Sequence, residues 1–330
     1  MSAPVGAIAL SRRALVAGLV AAPALAQEGF VLPGTEVHRI DAPALGRRYR
    51  IDVWLPESYA TAPERRYPVL YTTDSPASFP LIRGVALRIR DQGRVLEDFI
   101  LVGLGFSEGD SGTTSRRRDY TPSPHGDIDA RPSRPGAVVR YGEAEPYRLF
   151  VRDEVFPFID ARYRTDPARR LYIGHSYGGL FGTHVLLTEP RMFARYALLS
   201  PSLWYDRRLM IARERGYATL NRDLPADVLF LIGANETVPE PDTEPFGAAR
   251  HAMVEDMAEM VRMLRSRNYP SLRVEERVIP GEDHATVYPV ALPQVLEWLL
   301  PGSGRAEPKR CLDAEGRRIA NCRWPERWQD

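Results

Sequence analysis

Short apolar runs and segments with helical spacing alternate along most of the chain. Continuous apolar runs are typical of strands that are covered on both faces, and they occur at residues 67–71, 98–104, 171–173, 196–200 and 227–233. A last strand is predicted at residues 272–279. Apolar residues recur at helical spacing at residues 79–89, 143–163, 180–187 and 248–267, and again before residue 300. This order predicts an α/β protein with a mostly parallel sheet and helices on both faces.

Two segments near the start alternate between apolar and polar residues, as half-buried strands do. They begin at Thr35 and at Arg48, and they predict an antiparallel pair that opens the sheet. A later stretch, Ser107 to Gly142, is rich in Gly, Pro, Ser and Arg and predicts a long irregular loop. The loop leaves the carboxyl end of a strand, which is the edge of an α/β sheet where ligands bind.

The turn after the strand at residues 171–173 reads Gly-His-Ser-Tyr-Gly, from Gly174 to Gly178. A sharp strand-to-helix turn leaves no room for a β-carbon two residues before or two residues after its apex. It also places the apical hydroxyl above the edge of the sheet. A five-residue pattern recurs by chance, but here a strand precedes it and a helix follows it. We therefore predict that Ser176 is a nucleophile.

A serine hydroxyl attacks well only when a neutral imidazole accepts its proton. In this chain order the base is expected in the loop after the last strand, and His284 lies there. His175 adjoins the serine but is expected to project away from it. His184 lies two turns along the following helix, and His251 starts another helix. The sequence predicts His284 as the base.

A carboxylate after the strand at residues 227–233 would fix the tautomer of the histidine and stabilise its protonated form. Glu236 is the first carboxylate there, and Asp242 and Glu244 follow in the same Pro-rich loop. We predict Glu236 as the acid. Asp242 as the acid, and a Ser176–His284 pair without any acid, stay open as alternatives.

The oxyanion of an acyl-transfer intermediate needs two preorganised N–H donors. One is predicted to be the backbone N–H of Tyr177, the residue after the nucleophile. The other is expected from the loop that follows the strand at residues 67–71. Pro76 has no N–H, which leaves Ser75 or Ala77, and we select Ser75.

The net charge and the cysteine content limit the classes of partner and ligand that the sequence predicts. The 330 residues carry a net charge of +1, so no polyanion such as a nucleic acid is implied. The two cysteines, Cys311 and Cys322, have no histidine nearby and fall short of a metal-ligand set. We predict neither a metal nor a cofactor.

The amino terminus resembles an export signal. Arg12 and Arg13 precede a short apolar run that ends in Ala-Leu-Ala at residue 26. The arginine pair also fits a twin-arginine signal. We expect residues 1–26 to be a signal peptide and the mature protein to be periplasmic or secreted, without stable membrane insertion. In such a compartment we expect Cys311 and Cys322 to form a disulfide in a tail at residues 301–330, beyond a domain at residues 27–300.

The chain resembles the putative-esterase group of the α/β-hydrolases and, within it, the siderophore esterases that open catecholate trilactones. The resemblance runs from about residue 30 to residue 300. It rests on six segments: Tyr49–Pro56, Tyr67–Tyr71, Arg118–Pro122, Gly174–Gly179, Ser200–Trp204 and Gly281–His284. At Asp74-Ser75 the chain departs from the family, in which a glycine usually follows the aspartate.

The resemblance implies an α/β-hydrolase fold, Ser176 as nucleophile and His284 as base. It also implies that Trp204 and the cluster Arg116, Arg117 and Arg118 face a small-molecule ester, such as a ferric siderophore. Adjacent loop arginines are equally typical of a solvated surface. We expect a serine carboxylic-ester hydrolase. The alternatives are an acyltransferase to a sugar or lipid alcohol and a generalist esterase of small esters.

Overall fold

One eight-stranded sheet organises the part of the chain that this computed structural model describes, residues 31–91, 96–124, 140–238 and 251–302. The strand order is β1-β2-β4-β3-β5-β6-β7-β8. The pairs β1–β2 and β2–β4 are antiparallel. Every later pair in this order, from β4–β3 to β7–β8, is parallel. The strands are β1 Thr35–Ala42, β2 Arg47–Trp54, β3 Tyr67–Thr72, β4 Ile100–Ser107, β5 Thr165–His175, β6 Arg195–Leu199, β7 Ala226–Gly233 and β8 Leu272–Ile279.

Helices connect the parallel strands. They are α1 Ser58–Thr61, α2 Ser75–Asp91, α3 Gly112–Asp119, α4 Ala144–Phe150, α5 Phe156–Arg162, α6 Tyr177–Thr188, α7 Tyr205–Leu220, α8 Met253–Ser266 and α9 Val287–Leu299. A π-helical turn, Val151–Val155, joins α4 to α5, and single 3₁₀ turns lie at Pro43–Leu45 and Pro190–Met192. Within the described ranges, no helix is long and apolar enough to span a bilayer.

The buried apolar side chains form two layers, one on each face of the sheet. Alternate residues of a strand point to opposite faces, so in β7 Phe230 joins one layer and Leu229 the other. Helices α2 and α9 cover the face of Leu229, and α4 to α8 cover the face of Phe230. Because both faces are covered, the central strands are apolar throughout, which is the pattern seen in the sequence.

The structure confirms the predicted α/β-hydrolase fold, corrects one local prediction and adds one helix. The stretch from Ser107 to Gly142 is not irregular throughout, since α3 lies inside it. Its amino end is capped by Ser111, whose hydroxyl accepts from the backbone N–H of Thr114 at 3.1 Å. Helix α7 was not predicted. It begins at Tyr205, and its next three residues, Asp206 to Arg208, have positive φ and precede the regular helical turns.

Several predictions fall on residues outside the described ranges. These are the signal peptide at residues 1–26, the loop acid Asp242, and the tail with Cys311 and Cys322. Residues from Gly34 onward cluster as one unit, and residues 1–33 cluster as another, of which only residues 31–33 are described.

Candidate active site

Three residues with positive φ lie at the carboxyl ends of three neighbouring strands. Asp74 follows β3 with φ 56°, Ser176 follows β5 with φ 60°, and Ser200 follows β6 with φ 42°. Residues other than glycine rarely adopt this region, because the β-carbon meets the backbone. Such strain persists only where the surrounding structure enforces it, and it is concentrated at functional sites. One edge of the sheet therefore carries an unusual density of strained backbone.

The turn around Ser176 has the geometry of a nucleophile elbow. β5 ends at His175 and α6 begins at Tyr177, so Ser176 alone makes the reversal. A β-carbon on Gly174 would lie 2.5 Å from the carbonyl oxygen of Gly178, and one on Gly178 would lie 2.2 Å from Thr73 Oγ1. Both distances are far below van der Waals contact. The close approach of the backbone at Gly174, and of the Thr73 side chain at Gly178, explains why the pattern requires glycine at these two positions.

A buried carboxylate holds the imidazole of His284. Glu236 lies three residues after β7 and is 1% exposed. Its Oε2 is 2.6 Å from Nδ1 of His284, and its Oε1 accepts from Ser200 Oγ at 2.6 Å and from the backbone N–H of Gly233 at 2.9 Å. Since a carboxylate can only accept, the proton of the neutral imidazole resides on Nδ1 and leaves Nε2 as an acceptor.

Ser176 and His284 line one cleft of about 620 Å³. Part of the lining is apolar and comes from Pro76, Ala77, Leu81, Phe106, Tyr288 and Pro289. Arg116 and Asp74 add charged groups to the same lining. A cleft that is mostly apolar with a few convergent polar groups is typical of a small-molecule site.

The structure brings Arg116, but not Arg118, to this cleft. Nε of Arg116 lies 2.7 Å from Asp74 Oδ1, and its guanidinium carbon lies 5.7 Å from the centre of the Tyr177 ring. Arg118 is buried and binds the carboxylates of Asp119 at 2.8 Å and Asp110 at 2.6 Å.

Helix α3 explains this separation. Successive residues of a helix point about 100° apart, so three adjacent side chains cannot share one face. Arg118 therefore holds α3 in place, and Arg117, half-buried on the same helix, is not among the residues that line the cleft. The sequence-based prediction that the whole cluster faces the substrate is therefore wrong for Arg118, whereas the prediction for Arg117 stays a prediction.

Trp204 also lies outside the lining of this cleft. Its ring stacks on His251 with 3.9 Å between centres and an interplanar angle of 5°. Its centre is 6.2 Å from that of Tyr177. Trp204 therefore packs against His251 and next to Tyr177, the residue after the nucleophile.

Two helices begin at the edge that carries Ser176. Tyr177 is the first residue of α6, and Ser75 is the first residue of α2. N–H groups in the first turn of a helix lack acceptors within the helix and carry partial positive charge. The hydroxyl of Ser75 is buried and donates to Asp52 Oδ2 at 2.5 Å, so the hydroxyl is not an oxyanion donor.

His175 lies beside the base, which the sequence did not predict. Its ring centre is 4.6 Å from that of His284 and 5.4 Å from that of Tyr288. Burial lowers the pKa of His175 well below its ordinary value, and the charges of His284 and Arg116 lower it further. His175 is therefore neutral at physiological pH and packs against His284 as an uncharged ring.

Known proteins are similar to this chain in sequence and in architecture. The family described as "Putative esterase" matches residues 42–227, more than half of the chain. Ferri-bacillibactin esterase BesA of Bacillus subtilis is 28% identical over 281 residues, which cover 83% of this chain and 92% of that protein. Siderophore triacetylfusarinine C esterase of Aspergillus fumigatus is 26% identical over 235 residues, which cover 67% of this chain and 77% of that protein.

Solved structures agree with the sequence comparisons. The BES protein from Bacillus cereus is 25% identical to this chain and superposes with a TM-score of 0.67. The match covers 83% of this chain and 98% of that one. Siderophore hydrolase EstA from Aspergillus nidulans is also 25% identical, with a TM-score of 0.65 and a coverage of 81% of this chain and 94% of that one.

The sheet order, the elbow and the matched structures define an α/β-hydrolase. Within that class, the chain belongs to the "Putative esterase" family. It is a carboxylic ester hydrolase, and it resembles siderophore esterases, as the sequence predicted.

We predict that replacing the buried carboxylate of Asp74 changes how stability depends on pH. Burial raises the pKa of Asp74 above its ordinary value of 3.8, although Arg116 beside it opposes this. The stabilising contribution of a carboxyl with a raised pKa is present below the unfolded value and is lost as pH rises through the folded value. As the pH rises from about 3 to about 7, the free energy of unfolding of Asp74→Asn should therefore increase relative to that of the wild type. Urea unfolding at both pH values measures this.

Asp223→Asn is the matched control of opposite sign. Hydrogen bonds from the side chain and backbone of Ser271 lower the pKa of Asp223. As the pH rises over the same range, the free energy of unfolding of the wild type should therefore increase relative to that of this variant. Parallel behaviour of the two variants would contradict the account of Asp74.

Proposed function

We propose that this esterase works through an acyl-enzyme at Ser176, with His284 as the base and Glu236 as the acid. The observation that carries the proposal is the contact of 2.6 Å between Glu236 and Nδ1 of His284, in the cleft that also contains Ser176. The contact directs the free Nε2 acceptor of the imidazole toward proton abstraction.

The reaction follows from these positions. Oγ of Ser176 attacks the carbonyl carbon of the ester while its proton passes to Nε2 of His284. The oxyanion accepts hydrogen bonds from the backbone N–H groups of Tyr177 and Ser75, at the start of α6 and α2. Collapse of the intermediate breaks the bond to the alcohol, which leaves with the proton from His284. Water then attacks the acyl-enzyme by the same steps and releases the acid and free Ser176.

We further propose a siderophore-type ester as the substrate. Relatives that this chain covers over most of their length are named for siderophore ester hydrolysis. The guanidinium of Arg116 in the cleft offers a charge-assisted donor to a phenolate or carboxylate of such a substrate. The apolar residues that line the same cleft suit the aromatic or aliphatic part of the acyl group.

We also propose that the protein is exported from the cytoplasm. The basic residues and the apolar run before residue 26 support a periplasmic or secreted enzyme. Such a compartment would allow a disulfide between Cys311 and Cys322.

Ser176→Ala is expected to lower the turnover of an activated nitrophenyl ester by roughly 10⁶-fold, because alanine has no nucleophile. The circular dichroism spectrum and the unfolding midpoint should stay those of the wild type. Ser58→Ala is the matched control, since Ser58 lies on α1 and binds Asp98. Turnover at the wild-type rate in Ser176→Ala would refute the proposed nucleophile.

Glu236→Gln separates a triad from a serine–histidine pair. Glutamine can present its amide N–H to Nδ1 and so favour the wrong tautomer of His284. We expect kcat to fall roughly 10³–10⁴-fold. A loss of less than about tenfold would mean that the histidine works without this acid.

A paired assay tests the substrate. The mature protein is given a ferric catecholate trilactone and a short-chain nitrophenyl ester, and kcat/KM is compared. We expect preference for the trilactone, and Arg116→Gln should lower kcat/KM for it roughly 10–100-fold while sparing the neutral ester. Arg48→Gln, an exposed arginine on β2 that pairs with Asp41, is the control. Turnover of the neutral ester alone would indicate a generalist esterase.

A further inference from the structure

The turn after β6, Ser200-Pro201-Ser202, contacts two of the three proposed catalytic residues. We call it the Ser-Pro-Ser turn. Both of its serines are buried, at 0% and 1% exposed, and neither lines the cleft. Ser200 is strained, with φ 42°, and its backbone N–H donates to the carbonyl of Leu231 at 2.7 Å. Backbone strain that is maintained at this edge of the sheet indicates a functional role for the turn.

The first serine of the turn fixes the acid. The hydroxyl of Ser200 donates to Oε1 of Glu236 at 2.6 Å, while Oε2 faces His284. The terminal torsion of a glutamate is soft and broad, so an unheld carboxylate rotates. With a donor on Oε1, the other oxygen is kept on the imidazole. Ser200 therefore acts on His284 through Glu236.

The last serine of the turn approaches the nucleophile. Oγ of Ser202 lies 3.5 Å from Oγ of Ser176, and the backbone N–H of Ser202 donates to the carbonyl of Ser176 at 3.3 Å. Catalytic hydrogen bonds are often long in free enzymes and tighten as the reaction proceeds. A hydroxyl at this position favours the rotamer that keeps Ser176 Oγ within the cleft, and it can donate to that oxygen as the proton leaves.

We propose that the Ser-Pro-Ser turn is a positioning element that holds the acid and the nucleophile in one fixed arrangement. Pro201 between the two serines fixes its own φ and so limits their relative movement. The inference rests on the proposed roles of Ser176, His284 and Glu236. It adds two residues that do not touch substrate but determine how well the triad is aligned.

A double-mutant cycle tests the role of Ser200. Serine and alanine share a β-carbon, so Ser200→Ala removes the hydroxyl without changing the backbone strain. We expect kcat on the nitrophenyl ester to fall roughly 10–100-fold with KM unchanged, because a charge-assisted hydrogen bond to Glu236 is lost. In a Glu236→Gln background the same change should cost almost nothing, since Ser200 acts through the carboxylate.

Ser200→Gly protects the test against misfolding. Glycine tolerates φ 42° and also lacks the hydroxyl, so it should show the same loss of kcat with a fold at least as stable as that of Ser200→Ala. Thr165→Val is the matched control. It removes a buried hydroxyl that donates to the carboxylate of Asp160 at 2.7 Å, at the amino end of β5, away from the cleft. Its kcat should equal that of the wild type.

Ser202→Ala tests the other end of the turn. We expect kcat to fall about tenfold, in keeping with the loss of one neutral hydrogen bond, again without a change in KM. The pH dependence of kcat should be unaltered, because Ser202 does not contact His284 or Glu236.

Two results would overturn the inference. One is wild-type kcat in Ser200→Ala, Ser200→Gly and Ser202→Ala. The other is a loss from Ser200→Ala that is equally large with Glu236 and with glutamine at residue 236, since that would show a merely structural effect. Either result leaves Ser176→Ala inactive and so leaves the proposed function intact. Full turnover by Ser176→Ala would instead refute the proposed function itself.

Discussion

The buried carboxylate of Glu236 is the interaction on which the rest of the site depends. A buried charge is costly unless hydrogen bonds replace the lost water. Here Ser200, Gly233 and His284 all lie within hydrogen-bond distance of its two oxygens. These partners come from three separate segments, after β6, at the end of β7 and after β8. The cost of leaving the carboxylate unsatisfied therefore ties three loops together and fixes the orientation of the imidazole.

The sheet supplies a second constraint, because parallel strands end at one edge. Adjacent β3, β5 and β6 end in Asp74, Ser176 and Ser200, all with positive φ. Helices α2 and α6 begin at the same edge and direct the partial positive charge of their first turns toward it. The same strand register therefore determines the positions of the candidate nucleophile, of the candidate oxyanion donors and of Ser200, which binds Glu236. At these three positions, rigid strands on both sides can hold the backbone strain.

The fold was predictable from local pattern, because apolar runs and helical spacing record burial directly. Ser176 and His284 could be selected because chain order and two glycines are visible in sequence. The direction of a side chain is not visible in this way. Arg118 turns away from the cleft because α3 forms inside a stretch for which the sequence predicts an irregular loop. The contact of Ser200 with Glu236 joins residues 36 apart in the chain, and only the order of the strands brings them together.

The most direct test of the central claim is to treat the intact protein with a fluorophosphonate and locate the label by mass spectrometry. We expect one label per chain, on Ser176, with loss of esterase activity in the same proportion. A variant with His284→Ala should react far more slowly under the same conditions, because the base is absent. Esterase activity that survives complete labelling of Ser176, or inactivation by a label on another residue, would contradict the account.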